Sequence, residues 1–80
     1  MKYRKKPVVI EAIRFDSANP EKGKEFCAGI NTRFDGMAAM YLETLEGTMR
    51  CLDGDWIIKG VAGEFYPCKP DIFDQTYEKV

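Results

Sequence analysis

Apolar residues recur along the chain in short runs that suit strands better than long helices. The first run, PVVIEAIRF at residues 7–15, is rich in β-branched residues and is followed by a polar turn segment, so it predicts a strand. Val8, Val9 and Ile10 are consecutive apolar residues, and such a run is typical of a strand buried on both faces. We therefore expect this strand to be central in its sheet or covered by a helix.

The segment PEKGKEFCAGI, residues 20–30, predicts a short helix. Pro20 suits the first helical position because its missing N–H has no partner there in any helix. Gly23 weakens the helix, and Gly29 or Asn31 would end it. The apolar side of this helix is formed by Phe26, Cys27 and Ile30.

After a loop at residues 32–36, the pattern predicts four strands joined by tight turns. Turn compositions occur at Glu46-Gly47, at Asp53-Gly54-Asp55 and at Val61-Ala62-Gly63. Pro67 cannot donate a hydrogen bond to a neighbouring strand, which places the last strand at a sheet edge or ends it there. The strands are expected at residues 37–45, 48–52, 56–60 and 64–68.

The tail PDIFDQTYEKV predicts a C-terminal helix that starts near Pro70 and Asp71. Residues four apart share a helix face, so this helix would lay on the sheet Ile72, Phe73 and Tyr77. The element order becomes β-α-β-β-β-β-α. It indicates a single small α+β domain over residues 1–80, with about five strands in a mainly antiparallel sheet and two helices, one internal and one C-terminal.

Composition fits a small folded domain. Apolar residues make up 45% and charged residues 31% of the 80 residues, which is a globular balance. A chain this short builds only a small core. We therefore expect a homo-oligomer, because self-association buries further surface.

The net charge of −1 conceals an asymmetry. Residues 1–15 carry five basic side chains and one acidic side chain, whereas residues 42–80 carry four basic and eight acidic ones. Segments of opposite charge can pair within one subunit or between subunits. The basic residues 2–6 could track nucleic-acid phosphates, but the sequence pI near 5.4 argues against a nucleic-acid-binding protein.

The residue types argue against an enzyme. Histidine, the commonest general base and metal ligand, is absent. Cys27, Cys51 and Cys68 form no CxxC pair, so they cannot complete a four-ligand zinc site without carboxylates. No base follows closely enough in sequence to activate one of these thiols. We therefore expect small, inert thiols.

Two carboxylate pairs, Asp53 with Asp55 and Asp71 with Asp74, have the composition to share a proton or hold a metal ion. Turn formation explains the first pair better, and the start of a helix explains the second. The glycines do not have the spacing of a phosphate-binding loop. We expect no catalytic residue, no metal site and no cofactor.

The chain start is basic and then apolar, as in a signal peptide. Glu11 and Arg14 interrupt the apolar part too early for a signal-peptide core. No segment approaches the roughly 20 apolar residues of a membrane span. With three scattered cysteines, the sequence predicts a soluble, cytoplasmic protein.

Three motifs carry a resemblance to a known family. They are KPVVIEA at residues 6–12, GDWIIKG at residues 54–60 and GEFYPCKPDIF at residues 63–73. In this combination the chain resembles a family of small bacteriophage and prophage proteins. Asp53 departs from the family pattern, which often has proline there. The resemblance covers about half of the chain, and it implies a phage origin and a bacterial cytoplasm without implying an activity.

The first functional hypothesis is a non-enzymatic counter-defence protein that sequesters a small anionic, nucleotide-type signal in pockets between subunits. Phosphate groups favour Arg and Lys, and bases favour aromatic faces. Cationic and aromatic residues lie close together in several places along the chain. The candidate ligand-binding residues are Arg14, Trp56, Lys59, Tyr66 and Lys69.

Other interpretations stay open at this point. Trp56, Phe65 and Tyr66 could instead belong to the core. The protein could inhibit a host protein by direct binding, for which strand edges and the acidic C-terminal half are suited. It could also be a minor virion or assembly component.

Overall fold

Two three-stranded antiparallel sheets carry the fold in a computed structural model of the chain, which describes residues 1–3 and 8–79. In chain order the elements of these residues are β1 (Glu11–Arg14), α1 (Pro20–Phe26), β2 (Thr32–Phe34), β3 (Ala39–Thr44), β4 (Gly47–Leu52), β5 (Trp56–Lys59), β6 (Phe65–Cys68) and α2 (Pro70–Thr76). The α+β class and the two helices are confirmed. The strand count is six, and the strands form two sheets.

The sheets follow a simple topology. Sheet A has the order β1-β5-β6, and sheet B has the order β2-β3-β4. In sheet A, Glu11 pairs with Lys59 and Arg14 with Trp56, while β6 pairs with the other side of β5. The edge position expected for the strand that contains Pro67 is confirmed.

Alternation along β5 gives sheet A two buried faces. Ile57 and Ile58 are adjacent in sequence and both fully buried, although neighbouring strand residues point to opposite sides. Ile57 belongs to the main core, which lies between the two sheets and α1. Ile58 shares its face with Trp56, and α2 packs on this face through Phe73.

The main core draws on all six strands and on α1 with the residues that follow it, but not on α2. Its buried members are Phe15, Cys27, Met40, Leu42, Cys51, Ile57 and Phe65, and Ile13, Phe26, Ile30 and Phe34 pack against them. The predicted packing of Phe26, Cys27 and Ile30 on the core is therefore confirmed, although only Phe26 lies within α1. The thiols of Cys27 and Cys51 are buried as expected, whereas Cys68 is half-buried.

The first strand differs from the expectation. Pairing begins at Glu11, β1 is an edge strand, and Val8 and Val9 are 47% and 76% exposed. Burial of this run on both faces was thus a wrong prediction, because a strand paired on one side only does not enclose the residues before it. The predicted start at Pro7 lies outside the described residues.

Strand β2 was not predicted. Residues 32–36 were expected to form a loop, but Thr32 pairs with Leu42 and Phe34 with Met40. Only three residues long, β2 is too short to show an alternation of its own. It is held in place by cross-strand contacts, including the Arg33 guanidinium 4.5 Å from the centre of the Tyr41 ring.

The ends of several elements shift by a few residues. The hairpin between β3 and β4 turns at Leu45 and Glu46, and Gly47 pairs with Thr44 at a φ of +108°, one residue earlier than predicted. Helix α1 ends at Phe26 and not near residue 30. In α2, Ile72 is 52% exposed, so its predicted contact with the sheet was wrong.

The turn at residues 53–55 uses both of its carboxylates. Asp53 Oδ1 accepts the backbone N–H of Ser17 at 2.7 Å, and Asp55 Oδ2 accepts the N–H of Leu52 at 3.0 Å. Gly54 has a φ of +87°, a backbone angle that residues other than glycine rarely adopt. The explanation of this pair by turn chemistry is confirmed.

Among the residues that the structure describes, neither helix is long enough and apolar enough to cross a membrane.

Candidate functional site

An aromatic stack joins the C-terminal helix to sheet A. Trp56 is the first residue of β5, and Phe73 lies in the middle of α2; their ring centroids are 4.1 Å apart and their planes differ by 7°. Tyr77 follows one helical turn after Phe73, with a centroid distance of 5.1 Å. The three rings form a continuous aromatic surface on the α2 side of sheet A.

A groove of about 440 Å³ lies against this surface, and we call it the α2 groove. Its aliphatic part comes from Val8, Val9, Ile10 and Ala12, its aromatic part from Trp56, Phe73 and Tyr77, and its charged groups from Glu78 and Lys79. Its size falls within the range of small-molecule sites, which are concave and mostly apolar with a few polar groups.

The charged residues that line the α2 groove, Glu78 and Lys79, lie near the C-terminal end of the chain. Lys79 is the cation in the described lining, and Glu78 is its neighbour. The sequence also places Arg4, Lys5 and Lys6 shortly before Val8; the structure of these three residues lies outside the described part. In the described lining, Lys79 is therefore the group that can pair with an anion, and it lies beside the carboxylate of Glu78 and an otherwise apolar surface.

Tyr66 and Tyr77 connect β6 to the residue after α2. Their hydroxyl oxygens are 3.4 Å apart, and either hydroxyl is able to donate. The hydrogen bond with Tyr77, together with burial, raises the pKa of Tyr66 to about 12. The Tyr66 hydroxyl is therefore protonated at neutral pH and available as a donor or an acceptor.

Three of the five predicted ligand-binding residues share the α2 side of sheet A. Arg14 pairs with Trp56 across β1 and β5, and Tyr66 pairs with Ile58 across β5 and β6. Because paired residues and alternate residues of a strand share a face, Arg14, Trp56 and Tyr66 point to one side. Arg14 donates its Nε hydrogen to the Gly54 carbonyl oxygen at 2.9 Å, which fixes its position beside Trp56.

The other two predicted residues are not brought to this face. Lys59 alternates with Ile58, and its Nζ lies 3.9 Å from Glu11 Oε2 and 5.9 Å from the Phe65 ring centre, on the core side of the sheet. Lys69 precedes α2 and is exposed, and its carbonyl oxygen accepts the N–H of Phe73 at 2.8 Å.

Most of the α2 groove was not predicted as a site. Only Trp56 of the five candidate residues lines it. Phe73 and Tyr77 were assigned to packing from their four-residue spacing, and that packing is correct. The apolar run at residues 8–10, shortly after four basic side chains in the first six residues, was the sequence signal available for this surface. Val8 and Val9 of this run are exposed.

The cysteine thiols are poor nucleophiles in this setting. Burial raises the pKa of Cys27 to about 11 and that of Cys51 to about 12. Burial also raises the pKa of Cys68, with smaller contributions from Asp55 and Asp71. All three thiols are therefore protonated near neutral pH, and the thiol is far less reactive than the thiolate.

Metal-binding chemistry has no support in the described residues. Within residues 1–3 and 8–79, no group of three His, Cys, Asp or Glu side chains is arranged to hold a metal ion. The Asp35 carboxylate, for example, accepts the backbone N–H groups of Met37, Ala38 and Ala39.

Comparison of the chain with protein-family models, with curated proteins and with solved structures finds no significant match. The resemblance to bacteriophage proteins therefore stays a prediction from the sequence motifs.

Proposed function

We propose that the protein is a non-enzymatic binding protein that holds a small anionic ligand with a planar apolar part in the α2 groove. The observation that carries this proposal is the aromatic surface formed by Trp56, Phe73 and Tyr77 in the same groove as the ammonium group of Lys79. Aromatic rings attract planar groups, and an ammonium group attracts phosphate or carboxylate.

A nucleotide-type signal has this combination of a flat base and an anionic phosphate. The proposed biological role is sequestration of such a signal by a phage counter-defence protein in a bacterial cytoplasm. This role rests on the sequence motifs at residues 6–12, 54–60 and 63–73 as well as on the groove. Protonated thiols fit binding without covalent chemistry.

Titration of the full chain with a panel of cyclic nucleotides tests the proposal. Trp56 is the only tryptophan of the sequence, so its fluorescence reports on the groove directly, and calorimetry gives the affinity. A bound nucleotide is expected to quench or shift this fluorescence. Well-folded protein that shows neither heat nor a fluorescence change with any member of the panel contradicts the proposal.

A matched pair of lysine variants locates the site. Lys79→Ala removes the cation of the groove and is expected to weaken binding about tenfold to a hundredfold, since a charge-assisted hydrogen bond is worth about 1.5 to 3 kcal/mol. Lys59→Ala removes a cation from the opposite face of sheet A and is expected to leave the affinity unchanged. Equal losses in both variants would place the ligand elsewhere.

Inhibition of a host protein by direct binding is the second candidate function, and the outer edge of β1 favours it. Among residues 1–3 and 8–79, β1 has a strand partner on one side only, which is β5. Phe15 donates its N–H to Asp55 O on that side, so by alternation the N–H groups of Ala12 and Arg14 point to the free edge. A partner strand would add there.

Proline at an edge position tests this second candidate. Ala12→Pro removes an outward N–H and keeps the hydrogen bonds between β1 and β5. It is expected to abolish co-purification of a stoichiometric host partner, while the variant with alanine at exposed Val9 keeps that partner. Retention of the partner by the folded Ala12→Pro variant rules out strand addition at β1.

A further inference from the structure

A second groove, separate from the α2 groove, lies where the β3–β4 hairpin meets the turn between β5 and β6. It has a volume of about 610 Å³, and we call it the hairpin groove. Its lining includes the apolar side chains of Ile30, Leu45, Met49 and Phe65 and the carboxylates of Glu46 and Glu64. Leu45 is fully exposed. Its described lining is therefore apolar, and the charged groups in it are both carboxylates.

The N-terminal arm, residues 1–6, combines apolar side chains with basic ones, and its charge is opposite to that of the hairpin groove. Met1 and Tyr3 alternate with Lys2, and the sequence continues with Arg4, Lys5 and Lys6. Met1 and Tyr3 are 107% and 87% exposed, so in the single chain these two side chains contact neither groove. An extended segment of this kind presents apolar side chains on one side and basic ones on the other.

The segment that leads into β1 and the hairpin groove lie toward the same end of the molecule. Glu11 pairs with Lys59, so residues 8–10, which precede β1, extend past the end of β5 on the side of the turn at residues 61–63. Lys59 also pairs with Phe65, which places Glu64 at this end of sheet A. Ten residues precede Glu11, and at about 3.3 Å per residue they reach up to roughly 33 Å.

We infer that the hairpin groove binds the N-terminal arm of a second copy of this chain, reciprocally, in a two-fold symmetric dimer. In such a dimer the same patch serves on both subunits. Because the arm is attached at the end of the subunit that carries the groove and reaches up to roughly 33 Å, one two-fold axis can bring each arm to the partner's groove. Met1 and Tyr3 fill the apolar groove, and Lys2 with the following basic residues meets Glu46 and Glu64.

Native mass spectrometry and light scattering of the full chain give the first test. The expected result is a species of twice the 9.1 kDa chain mass, which dissociates on dilution and at high salt because exposed charge pairs are screened. A chain that stays monomeric up to millimolar concentration overturns the inference, and so does a monomer whose Tyr3 is protected from solvent by its own groove.

Charge reversal of the groove gives the second test. Glu46→Lys with Glu64→Lys is expected to produce monomer, because basic side chains then face each other. The matched control, Glu25→Lys with Asp74→Lys, changes the net charge equally at two exposed helix positions and is expected to stay dimeric. Circular dichroism confirms that both variants are folded. A groove variant that dimerises like the control overturns the inference.

A charge swap separates arm exchange from any other dimer. Replacement of all four basic residues of the arm, Lys2, Arg4, Lys5 and Lys6, by Glu makes the arm acidic, and this variant alone is expected to be monomeric. Mixed with the Glu46→Lys, Glu64→Lys variant, it is expected to form a heterodimer, since each arm then meets a groove of opposite charge. Failure of the two folded variants to associate contradicts the reciprocal arrangement.

Discussion

Phe73 of α2 lies flat on Trp56 of β5, with 4.1 Å between ring centroids and 7° between ring planes. α2 has seven residues, too few to be stable alone in water. Its position on sheet A therefore depends on side-chain contacts, of which this stack and the contact between Tyr66 and Tyr77 are the most specific. The aromatic surface of the α2 groove exists only while the helix is docked.

Removal of the Phe73 ring is expected to release α2 from the sheet. Phe73→Ala should lower the free energy of unfolding by about 1.5 to 3 kcal/mol, less than the roughly 3 to 5 of a fully buried phenylalanine because Phe73 is half-buried. Trp56 fluorescence should shift to longer wavelength as the indole meets water. Denaturant unfolding followed by fluorescence measures both effects.

Ile72→Ala is the control for this variant. Ile72 is the neighbouring helix residue and is 52% exposed, so its truncation should change stability by no more than about 0.5 kcal/mol. A loss in Ile72→Ala that equals the loss in Phe73→Ala would mean that the stack does not hold the helix.

The elements with a strong local signal were the ones that sequence reasoning placed correctly. Pro20 and Pro70 begin the two helices, and the glycine turns separate the strands of the meander, because the cost of a positive φ or of a missing N–H is a property of the residue itself. Phe73 and Tyr77 were assigned to one face for a similar local reason.

The parts that were missed depend on contacts between distant segments. β2 is a strand because Thr32 and Phe34 meet β3, and no pattern within three residues contains that information. The α2 groove combines residues 8–12 with residues 73–79, so its walls come from opposite ends of the chain. Arg14, Trp56 and Tyr66 share a face only through strand pairing.

Gly23 was expected to weaken α1, and the structure supplies the reason for a glycine at this position. A Cβ atom built there would lie 2.8 Å from Met40 Cε, 3.3 Å from Phe15 Cδ1 and 3.5 Å from Ile57 Cδ1. Gly23→Val is therefore expected to destabilise the protein by about 1 to 3 kcal/mol through overpacking. Thermal unfolding measured by circular dichroism or calorimetry gives the value.

Gly29 provides the comparison. A Cβ atom at Gly29 has Phe65 Cε2 at 4.0 Å as its nearest neighbour, an ordinary contact. Gly29→Val should change the stability by no more than about 0.5 kcal/mol. If both variants unfold at the same temperature, close packing of α1 on the core at Gly23 is not the cause.

The carboxylate of Asp35 stabilises the loop between β2 and β3, and this stabilisation depends on pH. Its Oδ1 accepts the N–H groups of Met37, Ala38 and Ala39 at 2.8, 3.0 and 3.1 Å, and these bonds, that of Met37 first, hold the pKa of Asp35 below its usual value. A lowered folded-state pKa contributes stability above the unfolded-state pKa, and that contribution is lost as the pH falls through the folded-state pKa.

Asp35→Asn is therefore expected to melt at a lower temperature than the natural chain at pH 7, and the difference should disappear in acid. Melting curves between pH 7 and pH 2 show this convergence. Asp74→Asn, at an exposed position of α2, should melt with the natural chain throughout. A difference for Asp35→Asn that persists unchanged at pH 2 would show that the carboxylate charge is not responsible.

The two buried thiols make the protein sensitive to alkali. Burial raises the pKa of Cys27 to about 11 and, with Asp55 and Cys27 contributing, that of Cys51 to about 12, whereas an unfolded thiol ionises near pH 8.5. A raised folded-state pKa gives stability that is complete below the unfolded-state pKa and is lost as the pH rises toward the folded-state pKa.

Between about pH 9 and pH 10 the unfolding equilibrium constant should therefore rise with pH, by at most about tenfold per pH unit for each buried thiol. Denaturant titrations across this range measure the slope. Cys51→Ala removes one of the two thiols, so this variant, although less stable at pH 7 because of the cavity it leaves, should show about half the slope. Cys51→Ala deletes the ionisation of one buried thiol. If the slope is the same in this variant as in the natural chain, groups other than this thiol cause the alkaline transition.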